Sequence, residues 1–416
     1  MHTLIKPFRA LRPAAGQAAA VAAPPYDVLN AEEARQRARG RPASFLHISK
    51  PEIDLPEGTD PYSSPVYAKG AENLRRLVDG GVLVRDEQPH YYVYQLRMGE
   101  HVQTGIACVG SVLEYDRNRI RKHEFTRPDK EDDRVRQITA LNAQTGPVLL
   151  AYRSNPELRM IIQENLRGAP ASELQADDGI CHSVWVISDR EQVSAITRIV
   201  DAMDSLYIAD GHHRSAAASR VAAARGDGQP HRTGDPDHNY FLCVAFPHDE
   251  MRILDYNRVV RDLNGHSQAD FLVRVAHHFN VTPVAKQAGP ARPHQAGQFG
   301  MYLGGQWYRL DIQRALIPKD PVASLDVSLL QDHLLAPVLG IGDPRRDKRI
   351  DFVGGIRGLE ELERRVDSGE MAVAFAMFPT SLEALMAVAD ANQVMPPKST
   401  WFEPKLADGL LSHVLD

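Results

Sequence analysis

The run Ile208-Ala209-Asp210-Gly211-His212-His213-Arg214 ends an apolar stretch and opens an alanine-rich one. That pattern reads as a strand stopping at Asp210 and a helix starting at Gly211. The first turn of a helix leaves backbone N–H groups unpaired at the positive end of its dipole, where an anion is stabilised. Gly211 lets the backbone come close to a ligand. His212, His213 and Arg214 add donors, and an arginine can grip phosphate with two parallel hydrogen bonds. Together these residues describe a phosphate cradle. It is neither a P-loop nor a dinucleotide-binding turn, because GxxxxGK[ST] and GxGxxG are both missing from the chain. Plainer readings are that Asp210 only caps the helix and that the histidines are solvated helix-end residues. Zinc held by Asp210 and both histidines is disfavoured, since adjacent helical residues point about 100° apart.

A second segment, Arg121 to Arg134, is dense in charge. Pro128 suits a helix start, with Asp129, Glu131 and Asp132 matched to the dipole in the first turn. Glu124 precedes that helix, between His123 and Phe125. A carboxylate there can act as a general base or hold Mg²⁺. A third segment, Met395-Pro396-Pro397-Lys398-Ser399-Thr400, sets one cation and two hydroxyls on a stiff backbone, which suits a small anionic group. Its plain alternative is a surface loop anchored by Trp401 and Phe402. Tyr26 and Asp27 follow Pro24-Pro25 and could line a pocket or belong to a packed strand. The charged stretch Asp343 to Arg349, with Asp326 before it, reads as a salt-bridged loop.

The elements that must position these groups follow from periodicity. Asn30 caps a helix over 31–38, and apolar residues recur at helical spacing over 66–78. Residues 91–96 and 106–113 read as strands, as do 147–152, 183–187, 205–209 and 240–246. Helices are expected near 156–167, 189–203 and 211–224. The Ala-Pro-rich opening, 10–25, is expected to be extended. Residues 226–239 and 287–299 read as loops. Strands alternating with helices indicate an α/β fold, with divisions near 115 and 250. The regions are thus 1–115, 116–250 and 251–416.

Composition narrows the class. The chain has 416 residues, 43% of them apolar and 25% charged, enough for a sizeable core in two or three domains. Lys and Arg number 48 against 54 Asp and Glu, a formal charge of −6. That balance argues against a dedicated nucleic-acid binder. Three scattered cysteines, 108, 181 and 243, form neither a disulfide framework nor a CxxC zinc pair. No secretory signal and no membrane-length apolar run is visible, so a cytoplasmic setting is expected.

Taken together, Ala22 to Asp27, Lys122 to Thr126, Asp210 to Arg214 and Met395 to Thr400 resemble the DUF1015 family over essentially the whole chain. Three of these motifs are also similar, in the same order, to the SerK-type free L-serine kinases of the ParB/sulfiredoxin-like superfamily. There a Pro-His-Glu turn, an Asp-Gly-His-His-Arg turn and a late Pro-Lys-Thr-Thr turn occur. Lys122 stands where those kinases have Pro, and Glu403-Pro404 where they have a His-containing stretch.

The resemblance implies a ParB/sulfiredoxin-like nucleotide-binding core with added N-terminal and C-terminal α/β regions. It implies phosphorylation of free L-serine with ATP or ADP and Mg²⁺. Glu124 would be the catalytic carboxylate, and Asp210 would support Mg²⁺ or the substrate hydroxyl. Gly211, His212, His213 and Arg214 would hold nucleotide phosphates. Lys398, Ser399 and Thr400 would contact the substrate. The alternative is a ParB-like nucleotide-binding regulator associated with DNA. A basic helix-turn-helix after the cradle would mark it, but a Gly/Pro/His loop follows Ala224 instead.

Overall fold

The computed structural model describes residues 3–226 and 235–416. The loop read at 226–239 therefore lies largely outside the described residues. The chain divides into two compact units, one of residues 1–251 and 404–416, the other of residues 252–403.

The first unit is built on a mixed sheet, nine-stranded among the described residues. Its strands run in the order Ile120–Arg121, Leu206–Asp210, Val148–Tyr152, Tyr240–Pro247, His101–Ser111, Tyr91–Met98, Cys181–Ile187 and Ser172–Gln175, with Ile5–Lys6 pairing His101–Ser111. Val148–Tyr152 pairs parallel with Tyr240–Pro247 and antiparallel with Leu206–Asp210. The division expected near 115 falls inside this unit, because His101–Ser111 pairs in register with Tyr240–Pro247. Cys108 and Cys243 face each other across that pair, their sulfurs 3.5 Å apart and unbonded. Val148, Leu150, Ile208 and Ala245 share one buried cluster with Ala218 and Ala222 of the helix His212–Arg225. The small alanine side chains let that helix lie close to the sheet, which fixes the strand-to-helix turn.

Local signals explain the flanking helices. Asn30 caps Ala31–Ala38 and forms a reciprocal capping box with Glu33. Pro128 opens Pro128–Leu141, and Asn155 caps Pro156–Asn165. The Ala-Pro-rich opening is not extended throughout. Ala10–Pro13 is a strand, but Ala18–Val21 makes a helical turn, since a run of alanines favours helix until Pro24. The strand expected to reach residue 113 stops at Ser111, whose hydroxyl caps the short helix Val112–Asp116. A smaller four-stranded sheet joins Ala10–Pro13 to Leu83–Arg85 and to Ser412–Val414, so the C-terminal residues belong to this unit.

The second unit carries an antiparallel sheet in the order Phe279–Pro283, Gln306–Ile312, Gln298–Leu303, Val373–Ala376, Tyr256–Val260, Ile350–Gly354. Glu360–Asp367 packs on it through Leu362 and Val366. Among the described residues no helix is long and apolar enough to cross a membrane.

Candidate active site

The strand Leu206–Asp210 ends irregularly. Tyr207 and Ile208 pair with Ala151 and Leu150, but Asp210 pairs with Leu149, so one residue is extra. Such a bulge re-aims the side chain beyond it. Gly211 then takes φ 98° and ψ 27°, a left-handed conformation that glycine adopts without steric cost. A Cβ there would meet Arg214 Nε at 3.0 Å. The helix His212–Arg225 begins at once, with no side chain capping it. Arg214 and Ser215 N–H both donate to the Gly211 carbonyl. The turn therefore presents first-turn amides at the positive end of a fourteen-residue helix.

Asp210 is a clamp for this turn. Its Oδ1 accepts from Gly211 N–H at 2.8 Å. Its Oδ2 lies 3.0 Å from Lys405 Nζ and 3.7 Å from Arg214 Nη2. Burial works against the carboxylate charge, but Lys405 and Arg214 outweigh it and hold the carboxyl well below the usual range. Asp210 is thus not the helix cap, a position that Gly211 fills. Arg214 turns inward, donating to the Pro147 carbonyl as well as facing Asp210. Its guanidinium is engaged in holding the turn.

Glu124 sits beside this turn on the segment after the edge strand Ile120–Arg121. Its Oε2 is 3.7 Å from His212 Nδ1, and its side chain is 49% exposed while His212 is buried. His123 N–H donates to His212 Nε2 at 3.5 Å, and the two rings meet edge to face at 4.5 Å. A neutral imidazole that accepts at Nε2 carries its proton on Nδ1, the atom facing Glu124. Burial keeps both rings neutral: it pushes His123 down to about 4 and His212 well below its ordinary value. His123, Glu124 and His212 each offer one ligand atom, all within 4.8 Å of one another. His213 diverges from His212 and accepts from Arg127 N–H at 3.1 Å. Neither histidine is a freely solvated helix-end residue, since His212 is buried and His213 half-buried.

Behind the turn lies a second charged layer. Arg134 stacks on the Tyr26 ring at 3.8 Å and donates to Asp133. Asp408 is buried, and its Oδ1 has no hydrogen-bond partner among the described residues. Burial pushes its carboxyl up to about 7, against the pull of Arg214. Tyr26, Arg134, Gly146, Arg214 and Asp408 line a cavity of about 30 Å³, room for one water. The exposed Asp27 flanks this layer in sequence.

Lys398, Ser399 and Thr400 belong to the second unit. Lys398 is exposed, with φ 60°, and its carbonyl accepts from Arg258 Nη2 at 2.9 Å. Ser399 is buried and its hydroxyl donates to the Pro396 carbonyl at 2.6 Å, so it ties the loop together. The charged stretch near 343–349 is a set of local ion pairs, Arg345 with Asp343 and Arg349 with Asp347.

Lys405, Arg134, Asp408 and His123 were not singled out from the sequence, and His212 was named as a phosphate contact, not as the partner of Glu124. Only His123 and Lys405 had a nearby signal, as polar neighbours of recognised motifs.

No curated protein matches the sequence. Among solved structures, a conserved hypothetical protein from Pyrococcus furiosus is 13% identical, with 71% of this chain and 91% of that chain covered and a TM-score of 0.35. A free serine kinase in complex with AMP is 13% identical, covering 70% and 89%, with a TM-score of 0.34. SbnI from Staphylococcus aureus, truncated at its C-terminus, is 11% identical, covering 73% and 85%, with a TM-score of 0.37. The family model described as a protein of unknown function, DUF1015, matches residues 5–328, most of the chain, and the protein belongs to that family.

Proposed function

We propose that this protein is a nucleotide-dependent kinase acting on a hydroxyl of a small molecule, with free L-serine as the acceptor favoured by the sequence resemblance. One observation carries the reading: an uncapped helix start at Gly211–His212 lies beside a half-exposed carboxylate, Glu124, that faces a neutral imidazole. Phosphoryl transfer asks the protein for positioning and charge stabilisation more than for covalent chemistry. The first-turn amides supply a fixed, positive surface for phosphate oxygens. Glu124 takes the acceptor's hydroxyl proton, and the Nδ1–H of His212 orients its carboxylate. Asp210 acts as a positioning residue, holding Gly211 through its N–H and fixed in turn by Lys405.

The donor set near the turn suits Mg²⁺ only in part. That ion prefers oxygen ligands and is held by one or two carboxylates together with nucleotide phosphates. Glu124 offers such an oxygen. Asp210 does not, because its carboxylate is ion-paired with Lys405. When bound, Mg²⁺ supplies neutralisation of phosphate charge. Lys398 and Thr400 are the acceptor contacts that the resemblance assigns, whereas the Ser399 hydroxyl is spent on Pro396.

The direct test is phosphoserine formation by the purified protein with L-serine, Mg²⁺ and either ATP or ADP, read by mass spectrometry. Product that is lost in Glu124→Ala supports the reading. No phosphorylated product from serine or from other small hydroxy compounds, with no nucleotide effect on the thermal midpoint, overturns it.

A further inference from the structure

Arg258 lies in the strand Tyr256–Val260, next to the edge strand Ile350–Gly354 of the second unit's sheet, and is only 4% exposed. Among the described residues it has no carboxylate partner within salt-bridge distance. Its guanidinium donates to two neutral carbonyls, of Tyr256 and of Lys398, and sits 5.4 Å from the Phe352 ring. Two carbonyls satisfy part of a five-donor fork and neutralise none of its charge. Buried charges are ordinarily paired, because leaving water uncompensated is costly. Burial pushes this guanidinium down to about 10, the direction expected of a cation without a counter-ion.

Arg258 also lines a cavity of about 250 Å³ contained within the second unit. The lining also includes Ser328, Gln331 and the carboxylates Asp320 and Asp332, and Phe352 and Pro396 contribute apolar surface. Gln331–Leu335 is a π-helical turn, closed by Ala336 N–H donating to the Gln331 carbonyl at 2.9 Å. Such turns recur at functional sites because the widened ladder re-aims side chains. The Gln331 amide nitrogen donates to the Ile341 carbonyl at 2.7 Å, which fixes the amide, while its Oε1 is buried with no partner among the described residues. The lining thus holds both an uncompensated cation and an unused acceptor.

We propose that this cavity binds a small organic carboxylate that also carries a hydroxyl or amino group. The carboxylate pairs with Arg258, and the ligand's donor meets Gln331 Oε1. Asp332, exposed at the rim and without an ion pair among the described residues, adds preference for an amino group. The volume suits a metabolite smaller than a drug-sized ligand. The proposal does not depend on phosphoryl transfer in the first unit.

The test uses the full chain without nucleotide. Binding of L-serine, glycerate, ethanolamine and inorganic phosphate is followed by calorimetry and by the methyl resonances of Val327, Leu335 and Ile350. L-serine and glycerate are expected to bind and to shift these methyls, and ethanolamine is expected not to. Arg258→Gln should weaken both carboxylates by about tenfold or more. If that variant fails to fold, two milder ones decide. Gln331→Leu should weaken both ligands, and Asp332→Asn should weaken L-serine about threefold while sparing glycerate. The proposal is overturned if neither carboxylate shifts the methyls at about 10 mM, a free energy too small for a built site. It is equally overturned if Arg258→Gln, or Gln331→Leu where the former does not fold, leaves their affinity unchanged, or if phosphate binds more tightly than both.

Discussion

Lys405 Nζ lies 3.0 Å from Asp210 Oδ2, joining residues 195 positions apart at the end of the strand Leu206–Asp210. The C-terminal segment therefore sets the charge of the turn that opens the helix His212–Arg225. Replacing Lys405 by Met leaves Arg214, at 3.7 Å, as the remaining cation in contact with that carboxylate. Asp210 is held below its ordinary value in the folded protein. Its contribution to stability is thus present above the unfolded carboxylate pKa and is lost as pH falls through the depressed one. Lys405→Met should raise the midpoint pH of acid unfolding, followed by circular dichroism, and cost about 1–2 kcal/mol at neutral pH. An unmoved acid midpoint would show that Lys405 does not govern Asp210.

Gly211→Ala tests the turn itself. Alanine at φ 98° is strained, and its Cβ would press on Arg214 Nε at 3.0 Å. The cost should exceed about 1 kcal/mol, more than the usual Gly-to-Ala gain from a stiffer unfolded chain. Urea unfolding measures it. A variant as stable as the parent would mean that the turn relaxes freely, which would remove the rigid amide surface on which the kinase reading rests.

Much of this frame was legible in the sequence because it depends on neighbours. Asn30 with Glu33 three residues on, Pro128 ahead of acidic residues, and apolar residues ending at Asp210-Gly211 each act within one turn of chain. The site's electrostatics were not, since they depend on distant segments. Nothing local to Asp210 reveals Lys405, and nothing local to Glu124 reveals that His212 faces it. Arg214 shows the same limit. Its type promised a phosphate grip, but only packing against Gly146 and Pro147 decides that the guanidinium turns inward. The π-helical turn at Gln331 carries no sequence signature either, because a single misplaced hydrogen bond defines it.

Buried histidines give the protein an acid-sensitive limb. His123 and His182 are each pushed down to about 4 by burial, and burial also holds His212 well below its ordinary value. For each, the unfolded state binds the proton more readily than the folded one. The resulting stability is full above the unfolded histidine pKa near 6.5 and is lost as pH falls toward 4. His123 and His182 each contribute on the order of 1–3 kcal/mol over that window. Carbon-13 and nitrogen-15 histidine spectra should show the His123 and His212 rings neutral down to about pH 5. A ring that titrates between pH 6 and 7 would place a charged imidazole beside Arg214 and undo the assignment of the Nδ1 proton toward Glu124.

Glu124→Gln separates chemistry from binding at the candidate site. Glutamine keeps the shape of the side chain and an oxygen that can accept from His212 Nδ1–H, but it removes the base. Positioned proton transfer contributes about 10²–10⁴ to a rate, so phosphoryl transfer should fall by at least about a hundredfold. Nucleotide affinity, which the proposal assigns to the first-turn amides of the helix His212–Arg225, should change by less than about threefold. His212→Gln should lower the rate less than Glu124→Gln and flatten its pH dependence, because His212 orients the base without accepting the proton. If Glu124→Gln weakens nucleotide binding while the bound complex turns over at the original rate, Glu124 is a ligand contact and the proton leaves by another path.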